Sequence, residues 1–264
     1  MSVDVLTKSL WDARRSLLGW AIGLAGAAGI YTSSYALIEP TSYEEVIEAF
    51  PPEILEAMGW DDIATPTGYL GSTVFGLVVP ILAVIFAIAV GTRFLAGDEE
   101  AGTMELTLTH PVSRTSLVLQ RAGAALLAGL GAGVVVSVAV TGLAGPVGLD
   151  VPASRIIAAS FSLGLLAVAF AMLAIALGAW IPRRGIVLGA CSAVAVFAYF
   201  ASTVLTTVEG LEWVDKTSLF TYYGGQEILD DGLTIGNLVV LIVVSVVLVV
   251  VAAVGFQRRD VGTG

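Results

Sequence analysis

GSTVFGLVVPILAVIFAIAVGTRFL, residues 71–95, contains one charge, Arg93, close to its end. Its apolar residues neither gather on one helical stripe nor alternate with polar ones; the run is apolar on every face. A helix rises about 1.5 Å per residue, so roughly 20 such residues span the hydrocarbon of a bilayer. Five further stretches meet the same test, at residues 16–38, 117–142, 156–181, 185–207 and 235–256. The 264 residues are 57% hydrophobic and 13% charged, far more apolar surface than a soluble core of that length encloses. Strands of a membrane barrel would alternate apolar and polar positions, which these runs do not. The expected fold is an all-α integral membrane protein of six transmembrane helices, forming a single transmembrane domain over residues 1–264.

Orientation follows from Lys and Arg, which cytoplasmic loops retain. Lys8, Arg14 and Arg15 precede the first span, Arg93, Arg114 and Arg121 flank the loop between the second and third, Arg183 and Arg184 fill the next loop on that side, and Arg258 and Arg259 follow the last span. Only Arg155 and Lys216 fall on the other side. Both termini are therefore expected in the cytoplasm. The acids are placed the opposite way: in this topology fifteen of the twenty-two Asp and Glu face outward, eight of them within residues 39–62. With a net charge of −10, an acidic exterior argues against anionic lipid or nucleic acid as a partner at that surface. The expected location is a prokaryotic plasma membrane, the acid excess being of the kind halophiles carry.

Residues 1–15 form an amphipathic start with Leu6, Leu10, Ala13 and Leu17 on one helical face and Lys8, Asp12 and Arg15 away from it. It reads as an interfacial helix leading into the first span rather than a cleaved signal; a plain amphipathic tail on the headgroups is the alternative. Residues 39–70 form an acidic extracellular segment that contains EEVIEAFPPEILEAMG (44–59), with Pro51 and Pro52 in its middle. A second extracellular segment covers residues 208–234.

Several chemistries lack their residues. Gradient-driven transporters place ionisable groups inside spans, whereas here only Arg93 and Arg121 enter them, near the ends. A phosphate cradle of the G-x-x-x-x-G-K-[ST] type needs Gly before Lys, and Lys8 follows Thr7 while Lys216 follows Asp215. Cys191 is the sole cysteine, so no disulfide framework or cysteine metal site exists. His110 is the sole histidine, in a loop with no partners for a Ser-His-Asp arrangement. No catalytic residue, bound cofactor or metal is expected in this chain; an intramembrane enzyme using outer-face Tyr and Ser residues is kept as a remote alternative.

The polar stretch between the second and third spans is GDEEAGTMELTLTHPVSR, residues 97–114, within a cytoplasmic loop of residues 96–116. It puts Asp98, Glu99, Glu100 and Glu105 on a face that otherwise collects bases. Pro111 excludes His110 from the helical region, and Ser113 is placed to cap the third span with Arg114 just inside it. Alternation of Met104, Leu106 and Leu108 with Thr103, Glu105, Thr107 and Thr109 has a strand's period, but no partner strand is legible anywhere, so a short helix is expected.

With Glu99, Glu100, Gly102, Thr103, Glu105, Leu106, Pro111, Val112, Ser113 and Arg114 in that order, the loop resembles that of the membrane permease subunits of ABC-2-type transporters. The likeness extends to six spans, inward termini, an amphipathic start and an acidic outer helix. It implies that this loop is a coupling helix seated in a separate cytoplasmic ABC ATPase subunit, present in two copies and supplying the ATP and Mg chemistry. It also implies a second permease subunit, identical or homologous, and export as the direction. The acids of the loop would pair with bases of the ATPase. SLFTYYGGQEILDDG (218–232) resembles the family's outer segment, which covers the pathway in related exporters; Tyr222 and Tyr223 also read as simple interfacial aromatics.

Ser72, Thr73, Ser192, Ser202, Thr203 and Thr206 are the polar groups placed to line a pathway, suiting a lipid-like or amphipathic cargo. Pro80, in mid-span, removes a backbone donor and reads as a hinge or a static kink. Spacings such as Gly19 to Gly23 and Gly129 to Gly133 permit close helix packing. The alternative to a transporter subunit is a membrane scaffold or assembly protein that recruits a cytoplasmic partner through the same loop and moves nothing.

Overall fold

The computed structural model of the chain describes residues 5–37, 49–51, 60, 62–100, 113–203, 205 and 212–258. Helix α1 (Val5–Ser34) ends in a 3₁₀ turn, Tyr35–Leu37. The long helices that follow are α2 (Pro66–Glu100), α3 (Arg114–Ala144), α4 (Ala153–Trp180) and α5 (Arg184–Thr203). Three short helices, α6 (Glu212–Asp215), α7 (Leu219–Tyr223) and α8 (Gly225–Asp230), precede the last long one, α9 (Ile235–Arg258). No strand occurs among the described residues. Residues 44–48 and 52–59 of the expected outer acidic helix, and residues 101–112 between α2 and α3, lie outside the described residues.

Five helices, α2, α3, α4, α5 and α9, are long and apolar enough to cross a membrane. Six were expected; α1 has the length, but its apolar half is diluted by four glycines, Trp20, Tyr31 and a hydroxyl-rich end at Thr32, Ser33 and Ser34. It also runs unbroken from Val5 through the junction expected near residue 15. Helix α2 starts upstream of its expected position because Thr65 caps it, accepting the Gly68 N–H at 3.0 Å, with Pro66 in the first turn, where its missing N–H costs nothing. At the other end α2 continues as far as Glu100, into the stretch expected to be loop.

Helix α4 is the centre of the bundle: 78% of its apolar stretch is buried, against 22% for α5 and for α9. Lipid tails are as apolar as Leu, so association depends on close packing, and small residues supply it. A Cβ added at Gly133 would stand 2.5 Å from the Ser160 carbonyl oxygen, and one at Gly91 would stand 2.4 Å from that of Ala171. Gly129 meets Val168 and Gly178 meets Ala96 in the same manner. Both α2 and α3 therefore lie with backbone almost against the backbone of α4. Of the two glycine pairs legible in sequence, Gly129 and Gly133 pack within the chain, whereas Gly19 and Gly23 have nothing within 4 Å.

The long helices alternate in direction. At one end Leu6 meets Gln120, Arg93 meets Asp12, and Gln257 meets Thr115; at the other Tyr69 meets Tyr31, Ser162 meets Tyr223, and Arg155 meets Ile228. The bases at positions 8, 14, 15, 93, 114, 121, 183, 184 and 258 consequently share the first end, and Arg155 and Lys216 share the second.

The glycine contacts lead to a direct test. Gly133→Ala and Gly91→Ala should each lower the stability of the detergent-solubilised chain by about 1–3 kcal/mol, the cost of overpacking. Gly19→Ala should be neutral or gain up to about 1 kcal/mol from helix propensity. Equal thermal midpoints for all three variants would remove the close-approach account.

Candidate functional site

At the base-rich end, α2 changes register just before the loop. Residues Arg93–Gly97 form a π-helical turn. The Asp98 N–H bonds the Leu95 carbonyl instead of the Phe94 carbonyl that an α-helical register would assign to it. The Phe94 carbonyl accepts a hydrogen bond from Arg121 Nη1 of α3. Arg121 Nη2 also pairs with Asp98 Oδ2 at 2.9 Å. Arg121 is only 2% exposed, so this is a charge that holds its place through its partners; a buried cation without them would be strongly destabilising.

Glu100, exposed at the end of α2, reaches a different element. Its Oε2 accepts the backbone N–H of Arg184, the first residue of α5, at 3.0 Å. A carboxylate there satisfies one of the orphan donors of the helix and faces the positive end of its dipole. On the far side of the loop, Ser113 caps α3 in extended conformation, its hydroxyl accepting the Ser116 N–H at 3.2 Å, and Arg114 opens the helix. Arg93 donates to the Asp12 carbonyl at 2.9 Å, and Gln120 accepts the Leu6 N–H at 3.3 Å, which ties α1 to both flanks. Glu99 is half-buried beside them. Gly102, Thr103, Glu105, Leu106 and Pro111 lie outside the described residues.

The opposite end is built around α7 and α8. Gly224 joins them at φ 55° and ψ 40°, a left-handed conformation that favours glycine. The joint is held on three sides. Ser162 of α4 donates to the Tyr223 carbonyl at 2.7 Å, Ser218 donates to the Ala198 carbonyl of α5 at 2.6 Å, and the Tyr223 hydroxyl donates to the Phe75 carbonyl of α2 at 3.0 Å. Tyr223 is 4% exposed, so it is not an aromatic at the water interface. Tyr222, half-buried, donates to the Lys216 carbonyl.

The Tyr223 bond explains how Pro80 is accommodated. Residues Leu70–Val78 are π-helical, and α-helical winding resumes at Val79. An N–H at position 80 would serve the carbonyl of Phe75 in π register or of Gly76 in α register, and proline supplies neither. The Tyr223 hydroxyl replaces that donor at Phe75, so α2 passes through Pro80 without an unsatisfied carbonyl there.

The hydroxyls expected along a pathway are turned onto their own helices. Ser72 bonds the Gly68 carbonyl, Thr73 that of Tyr69, and Ser202 and Thr203 that of Tyr199; Ser72 is buried. Thr206 lies outside the described residues. Ser192, Ala193, Val196, Phe197, Phe200 and Leu205 line an open apolar groove of about 680 Å³ along α5. Sequence reasoning noted Arg121 and Tyr223 but gave neither a site role. The legible signals were a charge four residues inside an expected span and a tyrosine next to a Gly-Gly pair.

Tyr223→Phe should cost about 1–3 kcal/mol by leaving a buried carbonyl unpaired. Adding Pro80→Ala, which restores a backbone N–H, should recover part of that loss in a thermal double-mutant cycle. Strict additivity would show that the hydroxyl does not stand in for the proline's missing donor.

The chain thus has a helical bundle with charge collected at one end, a register-shifted helix entering an acidic stretch there, and a partly buried pair of short helices at the other end. No individually curated protein matches it. A family model described as ABC-2 family transporter protein matches residues 3–261. Members of that family are multi-pass membrane components of ABC transporters that associate with an ABC ATPase and are not themselves catalytic. With that match extending over nearly the whole chain, the protein belongs to the ABC-2 transporter family and is a membrane permease of an ABC transporter.

Proposed function

We propose that this permease is half of the pathway of an ATP-driven exporter, paired with a second permease and coupled through the loop between α2 and α3 to two ATPase subunits. The observation that carries the coupling is the way the loop begins. Asp98 is held on α3 through Arg121, and two residues later Glu100 is held on the first residue of α5. A push on the loop would therefore reach three helices at once, without relying on a flexible linker. Acids at Glu99, Glu100 and Glu105 would orient the loop against bases of the ATPase.

In this reading α1 is the sixth crossing, with its N-terminal end and the base-rich end of the bundle in the cytoplasm. Leu18, Ile22 and Ile30 are exposed along α1 and would face lipid. The exposed groove of α5 is the wall that would face the second permease across the pathway, and its apolar lining suits a lipid-like or amphipathic cargo. Helices α7 and α8 would close the outer end, with Pro80 and Tyr223 controlling how α2 bends beneath them.

Glu100→Lys combined with Glu105→Lys should reduce ATP-coupled transport in proteoliposomes to below about one tenth, because reversed charges facing a complementary partner cost several kcal/mol. The same protein should still insert and retain its thermal midpoint within a few degrees. Glu100→Gln, which keeps an acceptor for the Arg184 amide, should retain more than half of the transport. Full transport by the double lysine variant would remove the coupling role. Tight ATPase binding in a complex that moves no amphipathic cargo would favour a scaffold.

A further inference from the structure

At the base-rich end a small cleft opens between α1, α2 and α3. It is lined by Lys8, Ser9 and Asp12 of α1, Arg93 and Asp98 of α2, and Arg121 of α3, with Val5 and Phe94 completing it. Its volume is about 70 Å³, well short of the roughly 300–1,000 Å³ of sites that enclose whole organic ligands. The cleft therefore takes a compact group and is not a cargo site.

Three cations and two carboxylates line it. Asp98 is engaged by Arg121. The guanidinium of Arg93 is bound to the main-chain carbonyl of Asp12 and not to its carboxylate. Among the described residues lining the cleft, Lys8 makes no hydrogen bond or ion pair, so Lys8 and Arg93 leave a local excess of positive charge over Asp12, while Glu99, outside the lining, lies with Asp98 in electrostatic reach of Arg121. Arg121 adds a donor: its Nε is buried and has no acceptor among the described residues. A buried donor in that state is costly and marks a place for an acceptor.

The position of the cleft in the membrane is given by α1. Trp11 lies between Ser9 and Asp12, is 64% exposed, and carries the Arg14 guanidinium 4.1 Å above its ring. Exposed tryptophan with adjacent arginine belongs at headgroup depth, and the exposed apolar side chains Leu18 and Ile22 begin one to two turns further on. The cleft therefore opens at the level of lipid phosphates.

We propose that this cleft binds a phosphate group presented by the headgroup of an anionic phospholipid in the leaflet at the base-rich end. Lys8 and Arg93 supply the charge and Ser9 a hydroxyl, with Arg121 at the back of the cleft. A bound lipid would join α1 to the base of α2 beside the loop that begins at Asp98. The inference holds whether or not the chain exports its cargo, because it rests on the cleft and on the placement of α1 at the membrane surface.

The test is native mass spectrometry of the purified full chain with phosphatidylglycerol or phosphatidylcholine of the same acyl chains, and separately with inorganic phosphate. One phosphatidylglycerol per chain should be retained in preference to phosphatidylcholine. Lys8→Gln with Arg93→Gln should lower that retention at least about tenfold, whereas Arg14→Gln, outside the cleft, should change it less than about twofold. Should the double variant fold poorly, Lys8→Gln alone, at an exposed position, should give a smaller loss in the same direction. Retention of inorganic phosphate in place of lipid, lost in the same double variant, would keep the phosphate chemistry and overturn the lipid assignment. Equal retention of the two lipids, or equal losses in the double variant and Arg14→Gln, would overturn the site altogether.

Discussion

Backbone lying against backbone around α4 is the contact on which the rest of this bundle depends. In a bilayer, burying Leu against Leu gains nothing over burying Leu against lipid, so helices stay together where their surfaces approach most closely. Gly91 on α2 and Gly129 and Gly133 on α3 remove the side chains that would hold those helices away from α4. Alanines fill much of the rest of α4, among them Ala159, Ala167, Ala171 and Ala174. Once α2, α3 and α4 are packed at that distance, their ends are fixed, and the polar groups at those ends meet without further adjustment. Helices α5 and α9 keep most of their surface outward.

Helix α2 is the element held by other helices at both ends of the bundle. It has a π-helical stretch near each end, and at each one a polar side chain from another element bonds a main-chain carbonyl: Tyr223 at Phe75 and Arg121 at Phe94. The physical reason is common to both. A register shift or a proline leaves carbonyls without their ordinary partner, and away from water such a group must be served by protein. The outer wedge of α7 and α8 and the inner loop are thus attached to the same helix, each at a point where that helix departs from regular winding.

Charge is arranged to leave the middle of the bundle empty of it. All the described bases except Arg155 and Lys216 stand at one end and, apart from the Arg121 pair, remain near the surface. The hydroxyls within the spans bond their own helices, which costs little and leaves the inner contacts apolar. This arrangement suits a permease whose energy comes from an external ATPase, since ions need not be carried through the spans.

The apolar runs, their length and the bias of Lys and Arg were legible in the residues alone, because insertion into a bilayer is a local property of composition: about 20 residues must be apolar whatever surrounds them. The Ser113 cap and the helical start beside it are likewise local. The role of Arg121 was not legible, since its partners Asp98 and Phe94 lie more than twenty residues away and reach it only because Gly91 and Ala174 bring α2 onto α4. Nor was that of Tyr223, which resembles an interfacial aromatic until its hydroxyl is found at a carbonyl 148 positions earlier. Sequence determined which segments are apolar enough to enter a membrane, five of them long helices in the structure, and which end is basic. Tertiary structure decided which buried polar group serves which, because a hydrogen bond depends on ångström distances between segments that only packing sets.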